Sequence, residues 1–105
     1  MTPDQRDIAA RLGGVLAHPL RLAILECLVE GARIVSDLIE ALDEPQPVIS
    51  KHLGILRDAG LLECEADGRC RLYRLADEGP VRRVLSAIAD LAAGTQAQVA
   101  ARAGG

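Results

Sequence analysis

"QPVISKHLGILRDAGLL", residues 46–62, is the stretch on which the fold turns. Ile49, Leu53 and Leu56 recur at i, i+4 and i+7, the spacing that lines one face of an α-helix, and Asp58-Ala59-Gly60 reads as its end. The other face carries Ser50, Lys51, Gly54 and Arg57, and no acid falls between Gln46 and Arg57. Small polar and basic side chains turned outward from a short helix suit entry into a DNA major groove. The flanking segments decide whether the rest of such a motif is present.

Upstream, Ser36 looks like the cap of a short helix through Leu42, and Asp43-Glu44-Pro45 makes a tight turn into the next helix. Before it, Arg33-Ile34-Val35 is short and β-branched, as a strand would be. His18-Pro19 opens a further helix, with Leu20, Ala23, Ile24, Cys27 and Leu28 on one face and Gly31 as the stop. At the start, Thr2-Pro3-Asp4-Gln5 has the pattern of a capping box with proline in the first turn. Ile8, Leu12, Val15 and Leu16 continue it as a helix over 3–16, which Gly13-Gly14 weakens.

Downstream, Leu61–Glu65 and Arg69–Leu75 read as a hairpin around Asp67-Gly68. Gly79-Pro80 introduces a last helix over 80–100, and residues 101–105 are expected to fray. Its stripe of Val81, Val84, Leu85, Ile88, Leu91, Ala92, Thr95 and Val99 is longer than a small chain can bury by itself. The predicted order is α-α-β-α-α-β-β-α, mostly helical with a small β-hairpin wing: a winged helix-turn-helix.

Composition supports this frame. The 105 residues suit one domain, 1–105, and a domain so short buries only about two thirds of the surface its unfolded chain exposes. A second copy would complete the core, so a homodimer is expected, built from Ile8, Leu12, Val81, Leu85, Ile88 and Leu91 on the terminal helices. Half the residues are apolar, yet Tyr73 is the only aromatic, which leaves packing to Leu, Ile, Val and Ala. No run approaches the roughly 18 apolar residues of a membrane span, and Met1-Thr2-Pro3-Asp4 lacks the basic start of a secretion signal. A cytoplasmic protein with no membrane partner is the expectation. The formal net charge of −3 hides two basic islands, Lys51–Arg57 and Arg69–Arg74, while acids gather at Glu26, Glu30, Asp37–Glu44 and Asp77-Glu78.

With these segments in order, the chain resembles the ArsR/SmtB family of winged-helix repressors. "LAHPLRLAILECLVEG" is similar to the family's opening helix, "VSDLIEAL" to its third, "QPVISKHLGILRDAGLL" to its recognition helix and exit, and "DGRCRLYRL" to its wing. The resemblance runs without a gap from about Leu16 to Leu75. It implies a homodimer that holds a palindromic operator in double-stranded DNA until an inducer binds. It also implies that Gln46, Pro47, Ser50, Lys51 and His52 face bases or phosphates, with Arg57, Arg69 and Arg71 adding charge. Gln can pair with adenine in two hydrogen bonds, and Arg69 at the wing tip can neutralise phosphate. Pro47 departs from the family, where a small polar residue is usual. His52 has a second reading, as a helix histidine facing the scaffold.

The family's inducer sites are largely missing. Val35-Ser36-Asp37 stands where the arsenic-type Cys-x-Cys pair would be, and from Pro80 onward there is no His and only Asp90 as an acid. Three cysteines remain: Cys27, in an apolar helix stripe, and Cys64 and Cys70, flanking the wing turn. If Asp67-Gly68 is a two-residue turn, Cys64 and Cys70 project from opposite faces. If Ala66-Asp67-Gly68 is a three-residue loop, they lie directly across from each other, about 4.5 to 5.5 Å apart at Cβ. The second register would suit a soft ion such as arsenite, cadmium, mercuric or cuprous ion, or an oxidant.

Nothing in the chain suggests an enzyme. His18 and His52 sit on different helices, no carboxylate is placed to orient either, and no glycine-rich phosphate loop precedes a helix. Two alternatives remain: a winged helix used for protein–protein interaction, and a DNA-binding regulator with no metal or redox inducer.

Overall fold

The computed structural model describes residues 1–104. Its elements are α1 (Pro3–Leu16), α2 (Pro19–Val29), β1 (Arg33–Ile34), α3 (Val35–Leu42), α4 (Gln46–Asp58), β2 (Leu62–Asp67), β3 (Cys70–Leu75) and α5 (Glu78–Gly104). That is the order read from the sequence. The ends are fixed by the signals that predicted them. Thr2 Oγ1 accepts from the Gln5 N–H at 3.1 Å while Gln5 Oε1 accepts from the Thr2 N–H at 2.8 Å, a closed capping box. His18 caps α2 through Nδ1, which accepts from the Leu20 N–H at 3.1 Å. At the end of α4, Gly60 takes a φ of 83°, and Leu61 and Gly60 donate back to the Leu56 and Arg57 carbonyls. This Schellman arrangement needs a left-handed residue, for which glycine pays no Cβ penalty.

Two boundaries differ from expectation. Ser36 does not cap α3. The cap is Ile34, without a side-chain hydrogen bond, because β1 pairs with β3 and the chain passes directly from strand to helix. Residues 101–104, expected to fray, continue α5, and Gly105 lies outside the described residues.

The core is one cluster: Ile24, Leu25 and Leu28 of α2, Leu38 of α3, Ile49, Leu53 and Leu56 of α4, then Leu62, Tyr73, Leu75 and Val81. Helices α2, α3 and α4 therefore each bury an apolar stripe against the others and against one face of the sheet. The sheet has the order β1-β3-β2, antiparallel throughout. In the wing, Leu62 pairs with Leu75, Cys64 with Tyr73, Ala66 with Arg71 and Asp67 with Cys70. Leu62, Cys64, Tyr73 and Leu75 thus share the inner face, as the two-residue alternation of a strand requires.

The terminal helices are packed far less completely. No residue of α1 is buried, and on α5 only Val81 is. Ile8 is 55% exposed, Leu91 72% and Val99 60%. A cleft between α1 and α5 is lined by Leu12, Leu16, Val81, Val84 and Leu85, and a second, between α2 and α5, by Leu22, Val29, Leu85 and Ile88. Of the six residues expected to meet a second copy, Val81 is instead part of the chain's own core; it follows Pro80 in the first turn of α5, against α2 and Leu61. Leu85 also packs against that core from its edge, Leu12 and Ile88 are half-buried in the two clefts, and Ile8 and Leu91 are exposed. No single helix among the described residues is long and apolar enough to cross a membrane.

Candidate nucleic-acid interface

Helices α3 and α4 form the two-helix unit, and the wing stands beside it. Between them lies a groove of about 530 Å³ lined by Ser36 and Ile39 of α3, Gln46 and Ser50 of α4, and Arg69, Cys70, Arg71 and Tyr73 of the wing. Ser36, although not a cap, projects from the first turn of α3 into this groove.

The polar face of α4 follows from its apolar one. Burial of Ile49, His52, Leu53 and Leu56 turns Gln46, Pro47, Ser50 and Lys51 to the surface, where all four are exposed. The first turn of α4 has no acid and no side-chain cap, since Pro45 occupies the cap position. Of its leading backbone donors only the Gln46 N–H is left open, since Pro47 has none and the Val48 and Ile49 N–H groups donate to the Pro45 carbonyl at 3.0 and 3.2 Å.

Charge is arranged to match. Arg33, Arg57, Arg74 and Arg82 each pair with a carboxylate: Glu30, Asp58, Glu65 and Glu78 respectively. Lys51, Arg69 and Arg71 have no such partner among the described residues. Arg69 and Arg71 line the groove, and Lys51 is exposed on α4 next to Ser50, which lines it too. Arg57 stands apart: it lies eleven residues beyond Gln46, about 16 Å along the helix, and 4.0 Å from Asp58. It does not line the groove.

His52 is the clearest correction to the expected site. It is 6% exposed and faces the scaffold, with Nδ1 3.3 Å from Arg21 Nη1 and its ring 4.5 Å from that of His18. The reason is periodicity, because position 52 is three residues after Ile49 and four before Leu56, on the buried side. Burial holds the imidazole below the ordinary histidine value, and the neighbouring His18, Arg21 and Lys51 push in the same direction. A buried, neutral imidazole makes no phosphate contact.

The cysteines are not brought together. The wing turn is Gly68-Arg69, so neither anticipated register occurs. Cys64 lies opposite Tyr73 on the inner face, and Cys70 lies opposite Asp67 on the other face, three ladder pairs away. A soft ion cannot be shared by Cys64 and Cys70 of one wing. Cys64 instead faces Tyr73 across the ladder, and the Tyr73 hydroxyl pKa is raised by burial first and by the neighbouring Cys64 second. Cys27 is half-buried on α2, and burial pushes its thiol above the ordinary value, which lowers its reactivity. Among the described residues, no group of three His, Cys, Asp or Glu side chains is placed to hold a metal ion.

Sequence reasoning missed Arg21. Its Nε donates to the Val15 carbonyl at 2.5 Å and its Nη1 meets His52. The available signal was a cation in the middle of "PLRLAIL", an otherwise apolar helix.

Comparisons with known proteins agree with this geometry. Residues 16–65 match the model of a helix-turn-helix domain family. The HTH-type transcriptional repressor SmtB of Mycobacterium tuberculosis is 47% identical over 83 residues, which cover 79% of this chain; the chain spans only 62% of that relative's length. An uncharacterized HTH-type transcriptional regulator of Methanocaldococcus jannaschii is 34% identical over 84% of this chain and 99% of its own. Among solved structures, a homodimeric winged helix-turn-helix DNA-binding domain from Mycobacterium bovis, described as a possible ArsR-family regulator, superposes with a TM-score of 0.75. It is 32% identical and the match covers 85% of this chain and 82% of that one.

Proposed function

The chain belongs to the ArsR/SmtB family of winged helix-turn-helix transcriptional regulators, and from that premise we propose that it is a repressor binding palindromic operator DNA as a homodimer. The observation that carries the reading is the groove between α4 and the wing, lined by Arg69 and Arg71, which no carboxylate neutralises, with the equally unpaired Lys51 exposed on α4 next to Ser50. Gln46, at the helix tip, reads base edges; Ser50 and Lys51 hold phosphate; Pro47 offers only an apolar contact, such as a thymine methyl. Arg69 and Arg71 of the wing meet the flanking backbone. The dimer is formed by α1 and the outer part of α5, where Ile8, Leu91 and Val99 are left exposed by the chain's own packing. It sets the two copies of α4 about one DNA turn, roughly 34 to 36 Å, apart.

The wing register separates Cys64 from Cys70 within one chain, which supports a regulation without a chelate between them. The reading with no metal or redox inducer at the wing pair is therefore preferred to the soft-metal one. The protein-interaction alternative gives no reason for a groove whose cations are left without carboxylates.

The test is selection of a duplex from a randomised pool, followed by binding at increasing salt. Lys51, Arg69 and Arg71 from two protomers would neutralise about six phosphates, which sets a log–log salt slope of about −5. Failure to enrich any sequence, together with a slope near zero, would discard the repressor reading.

A further inference from the structure

The polar cluster behind α4 has no part in reading DNA, yet it joins three helices. His52 projects inward from α4, and its Nδ1 lies 3.3 Å from Arg21 Nη1 on α2. The same guanidinium donates through Nε to the Val15 carbonyl at 2.5 Å and through Nη2 to the Gly14 carbonyl at 3.4 Å. Both carbonyls belong to the last turn of α1, which has no basic residue of its own; the Val15 carbonyl takes the shorter bond, and the Gly14 carbonyl also accepts from the Ala17 N–H at 3.3 Å. His18 meets the His52 ring at a tilt of 44°, with the ring centroids 4.5 Å apart, and caps α2 through its Nδ1. One side chain, Arg21, therefore ties the end of α1 to the inner face of α4.

An arginine donates and cannot accept, so His52 Nδ1 must be the acceptor and its ring neutral, with the proton on Nε2. The groups around the ring are His18 before α2, Arg21 on α2, Lys51 on α4 and Glu44 in the turn before α4. The first three disfavour a charged imidazole, as burial does, and only Glu44 favours it.

We propose that Arg21 is a positioning residue for DNA binding: through His52 it fixes recognition helix α4 against α1, and so the separation of the two recognition helices in the dimer. This rests on the operator-binding, dimeric reading above. The tie exists only while His52 Nδ1 carries no proton. Protonation sets N–H against N–H, places an imidazolium beside a guanidinium, and releases α4. Acid would then weaken DNA binding, whereas a histidine gaining charge beside phosphate would strengthen it.

The test compares the parent with Arg21→Ala, Arg21→Lys and His52→Gln on a duplex that the parent selects from a randomised pool. Binding is followed from about pH 7.5 to about pH 4.5, through the ordinary histidine range and below it, because burial and its cationic neighbours hold His52 below the ordinary value. Sedimentation reports the dimer alongside. The parent is expected to weaken about tenfold across the interval, the worth of one hydrogen bond to a charged group. His52→Gln, whose Oε1 can accept from Arg21 at any pH, should bind within about twofold of the parent at the upper pH and lose the acid response. Arg21→Ala should stay dimeric but bind about tenfold more weakly at the upper pH, with a flat profile. Arg21→Lys, which reaches one acceptor at a time, should fall between, and it carries the test if the alanine variant does not fold. In the DNA-free dimer, the NMR titration midpoint of the His52 ring should rise in Arg21→Ala, since a neighbouring cation is gone. A parent that enriches no sequence and binds no DNA overturns the repressor reading. A parent that binds, with Arg21→Ala at parental affinity or His52→Gln keeping the parental pH profile, overturns the coupling alone.

Discussion

Leu91 separates dimer formation from folding more cleanly than any other residue of the apolar stripe. It sits on α5 beyond the part of that helix that touches the chain's own core, and 72% of it is exposed in a single protomer. Leu85, by contrast, packs against the core cluster, so its replacement would damage the fold and the interface together. Fully burying a leucine is worth about 2 kcal/mol, so about 1.5 kcal/mol is left to be gained at Leu91 when a second copy covers it. A two-fold interface counts that twice, about 3 kcal/mol per dimer, of which alanine would keep a small part.

Leu91→Ala should therefore raise the dimer dissociation constant about 30- to 100-fold. Its effect on protomer stability should stay within about 0.5 kcal/mol, as expected for an exposed helix position. Leu91→Glu should be monomeric, because the interface would have to bury a carboxylate with no partner. Sedimentation equilibrium gives the dissociation constants, and urea unfolding of the monomeric variant checks the fold. A Leu91→Ala dimer within twofold of the parent, or a Leu91→Glu protein that still dimerises, would show that the stripe faces solvent and that the copies meet elsewhere.

Three further outcomes are expected. Lys51→Ala should weaken binding to all DNA and flatten the salt slope by about 2 per dimer, while Gln46→Ala should cost roughly 1 to 3 kcal/mol of discrimination on the selected duplex alone; equal losses for Gln46→Ala on selected and random DNA would remove its base-reading role. Mild oxidation of the folded protein should give no disulfide between Cys64 and Cys70 of one chain, and peptide mapping that finds one would contradict the wing register. Acid should lower stability through His52. Its folded pKa lies below the 6.5 of the unfolded chain, so below that pH the unfolded state takes up a proton that the folded state refuses. The urea midpoint should then fall as pH drops from 6.5 toward the folded value, and His52→Gln should lose that slope; a midpoint that rises with acid through this window would refute the assignment.

The helices were legible because each end carries its own chemical signal: the Thr2–Gln5 box, the His18 cap, and Gly60 after α4. The role of His52 was readable in principle, since the spacing from Ile49 already placed it inward. Its polarity argued the other way, and only Arg21, 31 positions earlier, reconciles a buried imidazole with hydrogen bonding.

The wing register needed two further facts. An Asp-Gly pair at the centre of a hairpin calls for a turn with both residues at positive φ, and Asp67 does not adopt one. Gly68 alone does, at 61°, and with Arg69 it makes the pattern of a type II′ turn, which asks positive φ only of its first central residue. Burial then decides between parities. Any register that set Cys64 against Cys70 would place Leu62 opposite Leu72 and turn Tyr73 and Leu75 away from the core, both of which are buried. A slip of that kind, three residues from the observed pairing and so of opposite parity, exchanges two buried side chains, at about 2 kcal/mol or more each, for one half-exposed leucine. The core, rather than the turn residues, therefore keeps the two thiols apart.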